Sequence, residues 1–265
     1  MKKVINLLIG ALIVLTMAAC QSSKPNTDAT TLDSIKSAGK IVVGLEGTWQ
    51  PWSYHNEKEE LVGFDVEVAK AVATKLGVEA EIVECEWDGL LAGLDSGRFD
   101  IVVNGVDVTE ERSQKYNFTT PYAYVKTALI VLNTNEEIKT FEDLKGRVTA
   151  NSIGSTYMEL AESYGAEVLG IDTLEQTIEM LKAGRAEATL NSTLSFYDYM
   201  AVQPDAPIKI VCETEDALAV AIPTRKTDKD ASLTEAISTA ISELRAEGTL
   251  KQLSEKYFGG DVTSE

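Results

Sequence analysis

LAGLDSGRFDIVVN at 91–104 and IEMLKAGRAEATLN at 178–191 read almost alike. In each, an apolar helix face (Leu91 and Leu94; Ile178 and Leu181) stops at a glycine, Gly97 or Gly184, which can take the left-handed turn that ends a helix. An arginine follows, then an acid (Asp100 or Glu187), and then a short apolar strand that finishes on asparagine. Four positions are identical. The copies stand too far apart for a solenoid repeat. They predict two similar α/β lobes, each presenting the carboxyl end of a strand, with its Asn, to a shared crevice. Ligands of open α/β sheets sit at that edge.

Working outward, the chain from Lys40 alternates short β-branched runs with amphipathic helices. Strands are expected at 41–45, 80–83, 99–106, 127–132, 148–152, 186–191, 208–211 and 218–222. Val68, Val72 and Leu76, at four-residue spacing and closed by Gly77, mark a helix over 64–76. Further helices are expected at 87–94, 110–115, 141–144, 156–164, 195–201, 233–245 and 250–257, and TLEQ at 173–176 is a capping box that opens one more. Such alternation implies mostly parallel sheets covered on both faces. The long helix near the end has no strand of its own to cover, so it is expected to pack back on the first lobe. The chain then crosses between lobes twice, near 124–131 and 216–220, which makes a two-strand hinge. Lobe 1 is expected over 37–127 plus 219–260, and lobe 2 over 128–218.

The start of the chain carries a different signal. Lys2 and Lys3 precede an apolar run, too short to span a bilayer, that ends in Ala18 and Ala19. Residues 1–19 read as a secretory signal peptide. LTMAAC at 15–20 resembles a bacterial lipobox, which implies cleavage before Cys20 and lipid attachment to its sulfur. The polar stretch that follows, through residue 36, is expected to tether the domain to a membrane that the chain itself does not span. With 42 acidic against 24 basic side chains and a net charge of −18, the surface repels phosphate backbones, so nucleic acid is excluded as a partner. The single His55 rules out a multi-histidine metal site, and no cofactor or metal is expected. Beyond Cys20 only Cys85 and Cys212 remain, and these read as free thiols.

Several residues suit a ligand pocket. Trp49, Trp52 and Trp87 all stand where strands give way to loops or helices, and indole faces pack ammonium groups and sulfur-containing chains. GVDVTEER at 105–112 follows the first copy. Its Gly105 allows close backbone approach, Thr109 is a natural N-cap, and Arg112 offers a planar fork to a carboxylate. SIGST at 152–156 places small residues at a strand-to-helix junction whose N–H groups suit an anion.

ELVGFDVEVAKAVATKLG, EWDGLLAGLDSGRFD, TEERSQKYNFTTPY, TFEDLKG and GTLKQLSEKYFG, in this order, resemble the extracellular solute-binding proteins of polar amino-acid ABC importers. EGTW followed by PW, EWDGL, and NGV before TEER are most similar to the cystine-binding branch. The resemblance implies a two-lobed, type II periplasmic-binding-protein-like α/β fold that closes on an amino acid and passes it to a membrane permease. It implies that Arg112 clamps the ligand carboxylate, helped by Asn104, Gly105, Val106 and Asp107 and by Gly154 and Ser155. Trp49, Trp87 and Trp52 would wall the side-chain pocket with Glu46 at its edge, and Asn191 and Ser192 would face it from the second lobe. Two departures stand out. Ser192 replaces the family's ammonium-binding aspartate, and Asp107 stands where a small residue is usual. The expectation is that Asp107 takes over the ammonium contact or meets a cationic end of the ligand, while Arg112 still holds the carboxylate. The chain is thus expected to be a monomeric, lipid-anchored receptor rather than an enzyme. A dehydratase-like enzyme of the same fold and a ligand-sensing module are the alternatives.

Overall fold

The computed structural model describes residues 29–264. The expected signal peptide, Cys20 and the tether through residue 28 lie outside the described residues. The fold begins at α1 (Thr31–Ala38), where Thr30 and Asp33 cap each other reciprocally and Ile35 is buried. Residues 31–36 therefore belong to the folded body and not to the tether, because capping and one apolar anchor outweigh a polar composition.

The first half of the chain builds a parallel sheet. β1 (Lys40–Leu45) leads into a small hairpin sheet of β2 (Thr48–Trp49), β3 (Ser53–His55) and β4 (Leu61–Val62). Helix α2 (Phe64–Leu76) and β5 (Glu79–Glu84) follow, then α3 (Trp87–Asp95) and β6 (Ile101–Val102), giving the order β5-β1-β6. The strand expected over 99–106 pairs only at Ile101 and Val102, because Gly105 at φ 54° turns the chain out of the sheet. Helix α4 (Glu110–Lys115), β7 (Tyr116–Phe118) and β8 (Ala123–Val125) carry the chain to the crossing.

The second sheet has the order β11-β10-β12-β9-β13. It is made of β9 (Thr127–Leu132), β10 (Val148–Ser152), β11 (Glu167–Ile171), β12 (Ala188–Ser192) and β13 (Ile208–Glu213), with α5 (Thr156–Ser163), α6 (Leu174–Lys182) and α7 (Thr193–Val202) between them. β10 runs parallel to β11 and β12, and β9 is antiparallel to both of its neighbours. Four of the five strands thus run the same way, as expected of a mostly parallel sheet, and β9 alone opposes them because it enters directly from the crossing. The edge strand β11 carries no sequence signal, being half exposed.

The return crossing pairs β14 (Leu218–Val220) antiparallel with β8, and β15 (Pro223–Arg225) pairs with β7. Helix α8 (Asp228–Ala246) then packs on α1 and α2, with α9 (Thr249–Phe258) beside it. No helix among the described residues is long and apolar enough to cross a membrane. Cys85 and Cys212 are free.

The two repeat copies share their hydrogen bonding. Gly97 and Gly184 sit at φ 75° and 66° just past α3 and α6. The next N–H, of Arg98 or Arg185, bonds back to the carbonyl of Gly93 (2.8 Å) or Met180 (2.9 Å). Asp100 exchanges bonds with the Val42 backbone, and Glu187 does so with Val148. The conserved grammar of the acid is therefore a strand-pinning contact, with each carboxylate accepting an N–H of the neighbouring strand.

Candidate ligand-binding cleft

A cavity opens between the carboxyl ends of the two sheets. From the first half of the chain it is lined by Glu46, Thr48, Trp49, Trp87, Gly105 and Asp107. The second half contributes Ser152, Ser155, Thr156, Tyr157, Leu174 and Asn191. Of the residues expected there, Glu46, Trp49, Trp87, Gly105, Asp107, Ser155 and Asn191 line it directly.

The others stand one layer back. Trp52 is buried behind Trp49, with ring centroids 5.1 Å apart and planes 15° from parallel, and its indole N–H donates to Ser195 Oγ across the lobes (3.2 Å). Asn104 is fully buried and bridges β6 to β1. Its Oδ1 accepts the Glu46 N–H (2.8 Å), and its Nδ2 donates to the Glu46 carboxylate (2.7 Å). Val106 is core, and its carbonyl accepts the Ala221 N–H (3.1 Å). Ser192 is fully buried and caps α7, its hydroxyl accepting the Leu194 N–H (3.2 Å).

Arg112 sits on the first turn of α4, whose N-cap Thr109 accepts the Arg112 backbone N–H. Its guanidinium is buried, lies 5.4 Å from the Trp87 ring centroid, and donates to the carbonyls of Asp107 (3.2 Å) and Gly154 (3.3 Å). These bonds use two of its five N–H donors. Gly154 thus joins Arg112 across the cleft by its backbone, and Ser155 caps α5 by accepting the Met158 N–H (3.1 Å).

Asp107 is buried, and its carboxylate accepts a hydrogen bond from the Thr156 hydroxyl of the other lobe. Burial pushes its carboxyl up to about 6, against the opposing pull of Thr156 and Arg112. Burial likewise raises Glu46 to about 7 despite the Asn104 amide. Two acids therefore face one cavity in a state that a cation would ionise. Tyr157 also reaches the cavity, burial holding its hydroxyl well above its ordinary range. The indole N–H of Trp49 has no hydrogen-bond partner among the described residues.

Thr48, Ser152, Thr156, Tyr157 and Leu174 were missed as lining residues. Thr156 lay within the quoted SIGST junction, where a hydroxyl at the first helical position was the available signal. Nothing in the local sequence points to Tyr157. It reaches the cavity only because α5 starts at the cleft. His55 lies on the exposed hairpin, where it bonds Glu84 (2.9 Å), a contact that raises its ordinary titration range.

A two-lobed α/β architecture with a polar cleft between strand ends defines a ligand-binding class, and comparison with known proteins makes it specific. Residues 41–260 match the bacterial extracellular solute-binding proteins, family 3, and the chain belongs to that family. It is 40% identical to a probable amino-acid ABC transporter-binding protein of Haemophilus influenzae, over 87% of this chain and 89% of the relative. It is 34% identical to the L-cystine-binding protein TcyA of Bacillus subtilis, over 99% and 100% of the two chains. Among solved structures, a mutant of ArgBP from T. maritima matches with a TM-score of 0.79 and 33% identity, covering 86% of this chain and 99% of that one.

Proposed function

We propose that this protein is the receptor of an ABC importer that captures a polar amino acid in the interlobe cleft and delivers it to a membrane permease. We further propose that it is held at the membrane by lipid on Cys20. One observation carries the reading. Asp107 and Arg112, from a single loop and helix turn, bring a carboxylate and a guanidinium together at the cleft, and both also bond to the opposite lobe. An α-amino acid has the complementary pair. Its carboxylate matches the remaining Arg112 donors, and its ammonium matches Asp107. Trp49 and Trp87 would pack the side chain, and the free Trp49 N–H would donate to a polar or sulfur-bearing one.

TcyA is named for L-cystine, which makes cystine the first ligand to test. The chemistry asked of the cleft is capture and release. The test is mass spectrometry of ligand carried through purification, followed by thermal shifts across L-cystine and the other amino acids. The expected result is a stabilised protein from which the ligand is recovered unaltered. Recovery of a converted product, or no shift with any amino acid, sinks the reading. For the anchor, Cys20→Ala is expected to abolish incorporation of labelled palmitate and to release the protein from the membrane fraction.

A further inference from the structure

Asp65 and Tyr122 are fully buried behind the cleft and take no part in the contacts just assigned to a ligand. The Tyr122 hydroxyl donates to Asp65 Oδ1 (2.8 Å) and accepts the Gly105 N–H (3.3 Å). Asp65, at the start of α2, also donates its own backbone N–H to the Trp52 carbonyl (2.9 Å). One residue thus grips both loops of the cavity wall, one by its backbone and the other through a tyrosine.

Those two loops also touch each other. Trp52 stacks on Trp49, and Trp49 lies so close over Gly105 that an added Cβ would stand 2.6 Å from its ring. The contacts form a closed circuit: Asp65, Tyr122, Gly105, Trp49, Trp52 and back to Asp65. Gly105 holds φ 54°, a conformation that only outside contacts can select over the alternatives open to glycine. The second carboxylate oxygen of Asp65 has no hydrogen-bond partner among the described residues, so the Tyr122 bond is the side chain's anchor. A buried carboxyl with one strong bond is costly to keep in a core. Its position, clasping two cavity loops, gives that cost a use.

We infer that Asp65 and Tyr122 are positioning residues that hold the Gly105 and Trp49 wall in its ligand-ready geometry, setting affinity without touching the ligand. This rests on the amino-acid-binding reading of the cavity. The test combines hydrogen exchange of the Gly105 amide in the ligand-free protein with calorimetric titration of L-cystine, L-arginine and L-glutamine.

Tyr122→Phe keeps the ring and removes both bonds. It is expected to speed exchange at Gly105 and to weaken the tightest of the three ligands about tenfold. Asp65→Ala should do the same, and Asp65→Asn, which keeps an acceptor for Tyr122, should recover most of that loss. Tyr116→Phe is the matched control. It deletes a part-buried tyrosine–aspartate bond, to Asp95 (3.0 Å), away from the cavity lining, and should lower stability with affinity unchanged. Unchanged Gly105 exchange in Tyr122→Phe overturns the inference. So does an affinity that falls no further than in Tyr116→Phe. If the wild type binds no amino acid, these three included, the functional reading fails, while the exchange data still decide the role of Asp65 and Tyr122.

Discussion

At the scale of single residues, the cleft is organised by acids kept out of water. Asp107 was recognisable from its place after Asn104, but its consequences were not, because both its burial and its bond to Thr156 come from the opposite lobe. Ser192 was equally visible as a departure, yet its hydroxyl is engaged at the start of α7, a role that depends on where that helix begins. With its carboxyl held near 6, Asp107 is largely protonated at pH 5.5, and an arriving ammonium would favour the ionised form. Binding at pH 5.5 is therefore expected to release about three-quarters of a proton from Asp107, and almost none at pH 8. Titrations in buffers of different ionisation enthalpy measure this directly. Asp107→Asn should remove that share of the release, leaving only the Glu46 contribution, and weaken binding roughly 100-fold, as for a lost charge-assisted contact. An unchanged affinity would remove Asp107 from the ammonium site.

At the scale of elements, the repeat unit shows how far local grammar reaches. The helix stop at Gly97 and Gly184 and the backward bond from each arginine N–H are local, whereas the strand-pinning acid reaches a strand 58 or 39 residues away, and all three recur in both halves. The copies differ in their packing. Phe99 in the first lies between Gly44 and Gly93, where an added Cβ would stand 2.6 and 2.3 Å from its ring, whereas the second copy has Ala186. Gly93→Ala is expected to displace Phe99 and cost about 1–3 kcal/mol in urea denaturation, with ligand affinity little changed. Gly184→Ala meets open space and should cost only the smaller penalty of its positive φ. Equal losses at the two sites would contradict the packing account. The elements that sequence patterning missed, α1, β7, β8, β11, β15 and the β2–β4 hairpin, are short, edge-placed or half exposed, so their apolar periodicity is faint.

At the scale of the molecule, three buried acids govern how stability responds to pH. Glu46 and Asp65 are held near 7 and Asp107 near 6, all above their ordinary values and all because of burial. Below about pH 4 they are protonated in both the folded and unfolded chains. Between there and pH 7 the unfolded chain releases these protons first, so it binds fewer and the folded state loses stability as pH rises. The ligand-free protein should therefore melt at a higher temperature at pH 5 than at pH 8. Asp107→Asn should flatten part of that slope, and a bound amino acid should offset it at the upper end. A melting temperature that rises from pH 5 to pH 8 would contradict the burial of these groups. The paired strand–helix units, the turn at Gly105 and the place of Arg112 on the first turn of α4 were legible in the chain itself, because caps, turns and apolar periodicity act over a few residues. The closing of the cleft was not. The Asp107–Thr156, Arg112–Gly154 and Trp52–Ser195 contacts join residues distant in sequence, and so does the bracing of Gly105 by Tyr122 and Asp65. Only packing the two sheets against a common hinge brings those partners within hydrogen-bonding range and takes their acids out of water.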